Sequence, residues 1–235
     1  RMKTKILFFI LLLLGVFTLT TVVAEEETRD LSAFSEIGLS ISAKLYLEQG
    51  STQSVRIVAK SSTLEEIITE VKNSKLTIRL PNKNIFKRNY DPGKIEIYIT
   101  VPDVSALGVS GAGHIIAEDL EARILDLALS GSGNITIDEL DSDKVKASIS
   151  GSGNISIGKG GVADELSVSI SGSGNFSGKK FEAEKVKVNT SGSGNCSVTS
   201  NGSIKANIAG SGSVYYGGNP SIDASVVGSG KVKKM

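Results

Sequence analysis

The dominant pattern along this chain is strict alternation of apolar and polar residues. Around residue 150, Val145, Ala147, Ile149, Gly151, Gly153, Ile155 and Ile157 fall on one parity, and Lys144, Lys146, Ser148, Ser150, Ser152, Asn154 and Ser156 on the other. A period of two held for more than a dozen residues is the pattern of a half-buried β-strand. It recurs over residues 125–137, 166–176 and 186–198. Cys196 there takes a position filled by Ile or Phe in neighbouring copies, so it reads as a buried apolar thiol rather than a reactive one.

The alternating stretches share a motif. Ser-Gly-Ser-Gly-Asn begins at Ser130, Ser150, Ser171 and Ser191, with degenerate copies at Ser110, Ala209 and Val227, at intervals of 20, 20, 21, 20, 18 and 18 residues. A short regular period means one structural unit stacked on itself. The polar connectors, such as residues 138–143, are too short for a crossover helix of normal length. Each coil must therefore climb one strand spacing, about 4.8 Å, and pair with the coil below. The expected fold is all-β: an N-terminal β-sheet region continuing into a parallel β-solenoid, taken as right-handed, of about six to seven coils of 18–21 residues.

Two accounts fit the paired glycines on the inner parity. Missing side chains leave room for a bulky residue of the opposite wall, for which Leu120, Leu140 and Phe181 are placed ten residues after their opening serines. Alternatively the glycines take positive φ and bend the strand. Bending is expected, without deciding which glycine bends. Stacking also predicts an amide ladder through Asn134, Asn154, Asn175 and Asn195, broken by His114, Ser213 and Lys231 near the ends, where a stack needs caps.

The stretch before residue 105 lacks the motif but stays strand-like. Leu45 and Leu47, then Val55 and Ile57, suggest a hairpin across Gln49-Gly50-Ser51. One helical signal follows, with Leu64, Ile67, Ile68 and Val71 at helical spacing and Thr63 as a cap. The loop over residues 81–93 carries Lys83, Phe86, Lys87, Arg88 and Tyr90. Its functional reading is a ligand-contacting basic and aromatic loop, and its plainer reading a solvated connection.

Arg1, Lys3 and Lys5, an apolar run over residues 6–23, and Val22-Val23-Ala24 read as a secretory signal peptide over residues 1–24; an uncleaved anchor is the alternative. The expected division is 1–24 signal peptide, 25–104 N-terminal β-rich region with one short helix, and 105–235 β-solenoid. Without Arg1, Lys3 and Lys5 the 26 basic residues fall to 23 against 25 acidic, a net charge of about −2. That balance offers no footprint for nucleic acid. A single cysteine excludes an intramolecular disulfide.

The leader, Phe34-Ser35-Glu36-Ile37, Ile99-Thr100-Val101-Pro102 leading into Ser110-Gly111-Ala112-Gly113, and the repeated Ser-Gly-Ser-Gly-Asn together resemble a family of secreted bacterial proteins, the autotransporter-adhesin head domains known as head GIN domains. The resemblance covers nearly all of the chain after the leader. It implies an all-β fold ending in a β-helix and an exported or envelope location. It brings no catalytic residues with it.

Other chemistry is poorly supported. Asn134, Asn154, Asn175, Asn195 and Asn201 stand in N-glycosylation sequons, but ladder and parity already account for the spacing. No helix follows the Gly-x-Gly runs, so they are not a dinucleotide site, and no Asp stands where calcium-binding repeats need one. Asp138, Glu139, Asp141 and Asp143 read as a solvated turn. No cofactor and no metal is implied. The expected function is a non-catalytic, exported, adhesin-like module. Its candidate binding face is Ser132, Asn134, Thr136, Ser152, Asn154, Ser156, Ser173, Asn175, Ser177, Ser193, Asn195 and Ser197, offered to a glycan or cell-surface protein. After leader cleavage no membrane span is expected. The alternatives are an envelope carbohydrate-active enzyme using His114 or the 81–93 loop, and a scaffold that self-associates through unpaired strands at the solenoid end.

Overall fold

A computed structural model describes residues 24–81 and 91–235. The expected leader, apart from Ala24, lies outside them, as do Lys83, Phe86, Lys87, Arg88 and Tyr90. The described elements are β1 (Ala24–Thr28), β2 (Glu36–Leu39), β3 (Lys44–Gln49), β4 (Ser54–Lys60), α1 (Ser61–Leu64), β5 (Ile68–Lys72), β6 (Lys75–Arg79), β7 (Glu96–Val101) and β8 (Ala106–Gly111). Four long strands follow: β9 (His114–Gly131), β10 (Asn134–Gly151), β11 (Asn154–Gly172) and β12 (Asn175–Gly192). The last are β13 (Cys196–Thr199), β14 (Ser203–Gly210), β15 (Val214–Gly217), β16 (Ser221–Gly228) and β17 (Val232–Lys234).

Each long strand is one coil of a parallel β-solenoid. Pairing of β10 with both neighbours covers residues 134–137, 139–142 and 144–151, and breaks at Asp138, at Asp143 and after Gly151. Two consecutive outward side chains, Asp138–Glu139 and Asp143–Lys144, mark the first two breaks. The coil is therefore three-sided. Its first side runs from Asn134, its second from Glu139 and its third from Lys144.

The N-terminal half extends the same stack. On the first side β1, β4, β7 and β3 lead into β9, with Lys44 opposite His114. On the third side β5, β6, β2 and β8 lead into β9, with Glu36 opposite Ala106. Strand pairing thus continues across residue 105. On the second side the Gln49 side chain takes the place of a strand: its Oε1 accepts from Glu121 N at 2.8 Å, and its Nε2 donates to Glu121 O at 3.0 Å.

Two local expectations fail. β3 and β4 do not form a hairpin, because β7 inserts between them, parallel to β3 and antiparallel to β4. Gly50–Gln53 bridges two strand spacings instead of one. The helix stops after Leu64, and Ile68 and Val71 belong to β5, paired with β6. Thr63 is not the cap: Lys60 is, and Thr63 Oγ1 donates to Pro92 O at 2.8 Å. Tertiary pairing overrode a weak local helical pattern. Leu64 and Ile67 nevertheless bury into the core.

The corner between the third and first sides holds the glycines, and the two glycines do different things. The first bends the chain: Gly131, Gly151, Gly172 and Gly192 have φ between 113° and 127°, a region that side-chain-bearing residues rarely adopt. Its carbonyl then accepts two amides of the next coil. Gly151 O receives Ser173 N and Gly174 N, each at 2.9 Å. The second glycine allows close approach. A Cβ on Gly174 would strike Gly153 O and stand 2.6 Å from Ile149 Cγ2.

The space beside the second glycine is thus filled by the residue preceding the opening serine of the coil below, Leu129, Ile149 or Ile170. Leu120, Leu140 and Phe181 do not fill it. They stack on the second side in one column with Gly161. The interior is a single apolar cluster running through all coils.

Gly174→Ala should destabilise the fold by roughly 1–3 kcal/mol, the usual cost of overpacking. Gly158→Ala, whose Cβ would meet nothing closer than 3.9 Å, should stay within about 0.5 kcal/mol. Urea unfolding of both variants checks this; equal midpoints would refute the close-approach role.

Candidate functional site

The asparagine column forms the expected ladder. Asn154 Nδ2 donates to Asn134 Oδ1 at 3.1 Å, Asn175 Nδ2 to Asn154 Oδ1 at 2.9 Å, and Asn195 Nδ2 to Asn175 Oδ1 at 3.3 Å. The same oxygens take backbone amides: Asn154 N binds Asn134 Oδ1 and Asn195 N binds Asn175 Oδ1. At the lower end Asn134 Nδ2 lies 2.9 Å from His114 Nδ1, so with the ladder running this way His114 accepts. At the upper end Ser213 N donates to Asn195 Oδ1, and Lys231 N to Ser213 Oγ. His114 is an end piece of this column.

The ladder alters the chemistry of the candidate face. The amide oxygens are occupied by neighbouring coils, leaving each side-chain amide one outward N–H. Ser132, Ser152, Ser173 and Ser193 are exposed at the glycine corner. Thr136, Ser156, Ser177 and Ser197 are half-buried on the first side, and Ser156 Oγ donates to Thr136 Oγ1 at 3.4 Å. The twelve residues form three columns of four, with the free hydroxyls concentrated at the corner.

Around that corner, on the third side, lies a surface the motif does not announce. An open trough of about 900 Å³ runs along the stack between two outward columns. One column is Gly38, Gly108, Ala128, Ser148, Ser169 and Asn189, continuing through Asn207 to Ser225; the other contains Ser130, Ser150, Ser171 and Ser191. Between them lie Leu129, Ile149, Ile170, Thr190 and Ile208. Asn207 Nδ2 donates to Asn189 Oδ1 at 3.0 Å, a second short ladder. Parity marks Ser148 and Ser169 as outward, but the trough depends on smallness across coils, including Gly38 from outside the repeat.

Charge is sorted by side. The second side collects Glu121, Asp141, Asp143, Asp164, Glu182 and Glu184. Some are engaged: Asp141 Oδ1 accepts Val162 N at 3.2 Å and Glu182 Oε1 accepts Asn201 Nδ2 at 2.7 Å. Among the described residues no three His, Cys, Asp or Glu side chains are grouped to hold a metal ion. The far margin of the third side carries Lys144, Lys146, Lys185, Lys187 and Lys205. Lys144 bonds Glu165 at 2.8 Å, which raises the lysine pKa and lowers that of the carboxyl. These exposed pairs are too solvated to contribute much stability.

Cys196 is wholly buried between Phe176 and Val214 of the adjacent coils. Burial pushes its thiol far above the ordinary value, so the reactive thiolate is suppressed.

A family described as "Putative auto-transporter adhesin, head GIN domain" matches residues 33–220. The chain belongs to this family. The head GIN fold is also found in solved structures: a "putative adhesin" from Bacteroides fragilis is 24% identical with a TM-score of 0.85, covering 92% of this chain and 98% of that one. A "Putative lipid binding protein" from Parabacteroides distasonis is 24% identical with a TM-score of 0.73, covering 91% and 97%. A "putative adhesin" from the same species is 23% identical with a TM-score of 0.69, covering 90% and 97%. No curated protein matches the chain. Among the described residues no helix is long and apolar enough to cross a membrane.

A thiol reagent should leave Cys196 unmodified in the native protein and label it fully in denaturant. Native labelling within minutes, followed by mass spectrometry, would contradict the packing described.

Proposed function

We propose that this head GIN protein is an exported, non-catalytic adhesin-like module that binds an extended glycan along the glycine corner and the third side beside it. The observation that carries the reading is the trough, together with the exposed serine column beside it. Repetition of Ser132, Ser152, Ser173 and Ser193 presents one hydroxyl per coil, about 4.8 Å apart. The small side chains of the adjacent third side let a flat chain lie close to the sheet. Many weak, regularly spaced contacts along a polymer add through effective concentration rather than through any one strong contact.

Export is supported by the basic and apolar residues 1–24, which we propose are a cleaved leader, and by the family. The non-catalytic reading is supported by His114, which is committed to the ladder, and by Asp141 and Glu182 of the second side, which hydrogen-bond within the stack. A lipid role, suggested by the name of one structural relative, draws less support. The interior is filled by the chain's own side chains, so a lipid would have to lie in the open trough rather than inside the solenoid.

A glycan array of residues 25–235, followed by calorimetry on the best binder, tests the proposal. Ser148→Arg with Ser169→Arg should block the trough and weaken binding at least about ten-fold, equivalent to about 1.4 kcal/mol. Ser152→Ala with Ser173→Ala should weaken it two- to five-fold, about one hydrogen bond's net worth. Wild-type affinity in both pairs, or no glycan bound at all, would overturn it.

A further inference from the structure

A second groove runs parallel to the trough, on the other side of the Ser148 column. It encloses about 590 Å³ between two outward columns of the third side. Taken coil by coil, one column reads Lys144, Glu165, Lys185, Ser203 and the other Lys146, Ser167, Lys187, Lys205. Asp126 lies one coil below Lys146, and Asp223 one coil above Lys205, which it bonds at 3.2 Å. Glu165 is shared: Lys144 bonds it at 2.8 Å, and Lys185 of the next coil helps to lower its pKa. The five lysines lining the groove face only Glu165 and Asp223, a surplus of three positive charges. Among the described residues Lys146, Lys185 and Lys187 form no ion pair, unlike Lys144 and Lys205.

The fold does not require this arrangement and is strained by it. Lys187 and Lys205 are direct partners on adjacent strands, and like charges placed so repel. The chain has 25 acidic residues against 26 basic ones, enough to interleave the two. Yet Glu121, Asp141, Asp143, Asp164, Glu182 and Glu184 gather across the corner on the second side. The lysines also stand within reach of the trough. Lys146 precedes Ser148 by two residues, about 6.6 Å along the strand, and Lys187 precedes Asn189 in the same way. The flexible four-carbon stem of a lysine carries its ammonium toward that margin.

We propose that the glycan bound in the trough is an acidic polysaccharide, whose carboxylate or sulfate groups are held by Lys146 and Lys187 across the Ser148 column. The inference rests on the glycan reading of the trough and adds to it the charge of the ligand. Lys185 and Lys205 strengthen the field around the two anchoring lysines. Ser167, half-buried between Lys146 and Lys187, leaves room for an acid group between them. Successive acid groups of one polymer meet successive lysines, so contacts that are weak singly add along the chain. The carboxylates of the second side repel the same polymer, which confines it to the third side and steers its approach.

Calorimetry of residues 25–235 with two matched pairs of polymers tests this: polygalacturonate against its methyl ester, and dextran sulfate against dextran. The acidic member of at least one pair should bind at least about ten-fold tighter than its neutral counterpart, and which pair does so separates carboxylate from sulfate recognition. That affinity should fall as added salt shortens the Debye length. Lys146→Gln with Lys187→Gln should weaken the acidic polymer at least about ten-fold. Lys179→Gln with Lys180→Gln, the same charge change at the corner between the first and second sides, should leave it unaltered. Ser148→Gln with Ser169→Gln fills the trough without adding charge and should weaken it too. Equal binding of acidic and neutral polymers, full affinity in the Lys146 and Lys187 pair, or an equal loss in the Lys179 and Lys180 pair would overturn the proposal. If the serine pair still weakens binding in that event, the trough reading stands without it. Full affinity in the serine pair, or no polymer bound, would overturn both. Circular dichroism of every variant separates loss of binding from loss of fold.

Discussion

The hydrogen bonds accepted by the first glycine of each motif hold the solenoid in register. At positive φ its carbonyl points along the stack and takes two amides from the coil above, and this repeats from Gly111 to Gly210. Each bond is modest in net worth, but the geometry admits only one alignment of coil on coil. A residue with a side chain is strained at the first glycine and collides at the second. The motif is therefore a stacking joint, and the alternating sides between joints inherit their register from it.

Fixed register turns sequence into columns. Asn sits above Asn, Ser above Ser, and the sides acquire separate characters: hydroxyl and amide on the first, carboxylate on the second, small residues bordered by lysine on the third. Inside, the columns are mostly large apolar residues, with a smaller one between bulky neighbours in places, as where Gly161 lies between Leu140 and Phe181. A protein with one cysteine and no described metal site can rest on this, because every coil is both a packed layer and a set of backbone pairings for its neighbours.

Parity and period made the strands, the coils, the amide ladder and the buried cysteine legible in advance, because each follows from residues 20 apart standing one above another. What failed was local. The Gly50 turn resembled a hairpin until β7, arriving more than 40 residues later, took the place beside β3. Leu64, Ile67, Ile68 and Val71 are spaced for a helix and also suit a buried turn followed by a strand, and pairing with β6 decided between them. Leu140 offered one account of the glycine gap beside bending, because counting along one coil cannot reveal which coil's side chain points into it. The trough was missed since its defining property, smallness, is shared by Gly38 and Ser148 only once the two halves are stacked.

The coils are not all the same length, and most of the differences fall at one corner, with one residue regained between Glu182 and Lys185. Between Ile137 and Glu139 the register with β11 shifts by one residue, taken up at Gly158–Lys159; the shift reverses between Ser156 and Gly161 against β12, and shortening occurs between Gly178 and Glu182 against β13. All three lie on the corner joining the first and second sides. The glycine corner, by contrast, keeps its count from Gly111 onward, although in the N-terminal half the same corner takes the long connection between Ile78 and Glu96. From Gly111 onward the solenoid thus has a rigid seam at the glycines and an elastic one where the first side meets the second. Duplication or loss of a whole coil, or growth of a loop, can proceed along the elastic seam without disturbing the alignment set by the rigid one.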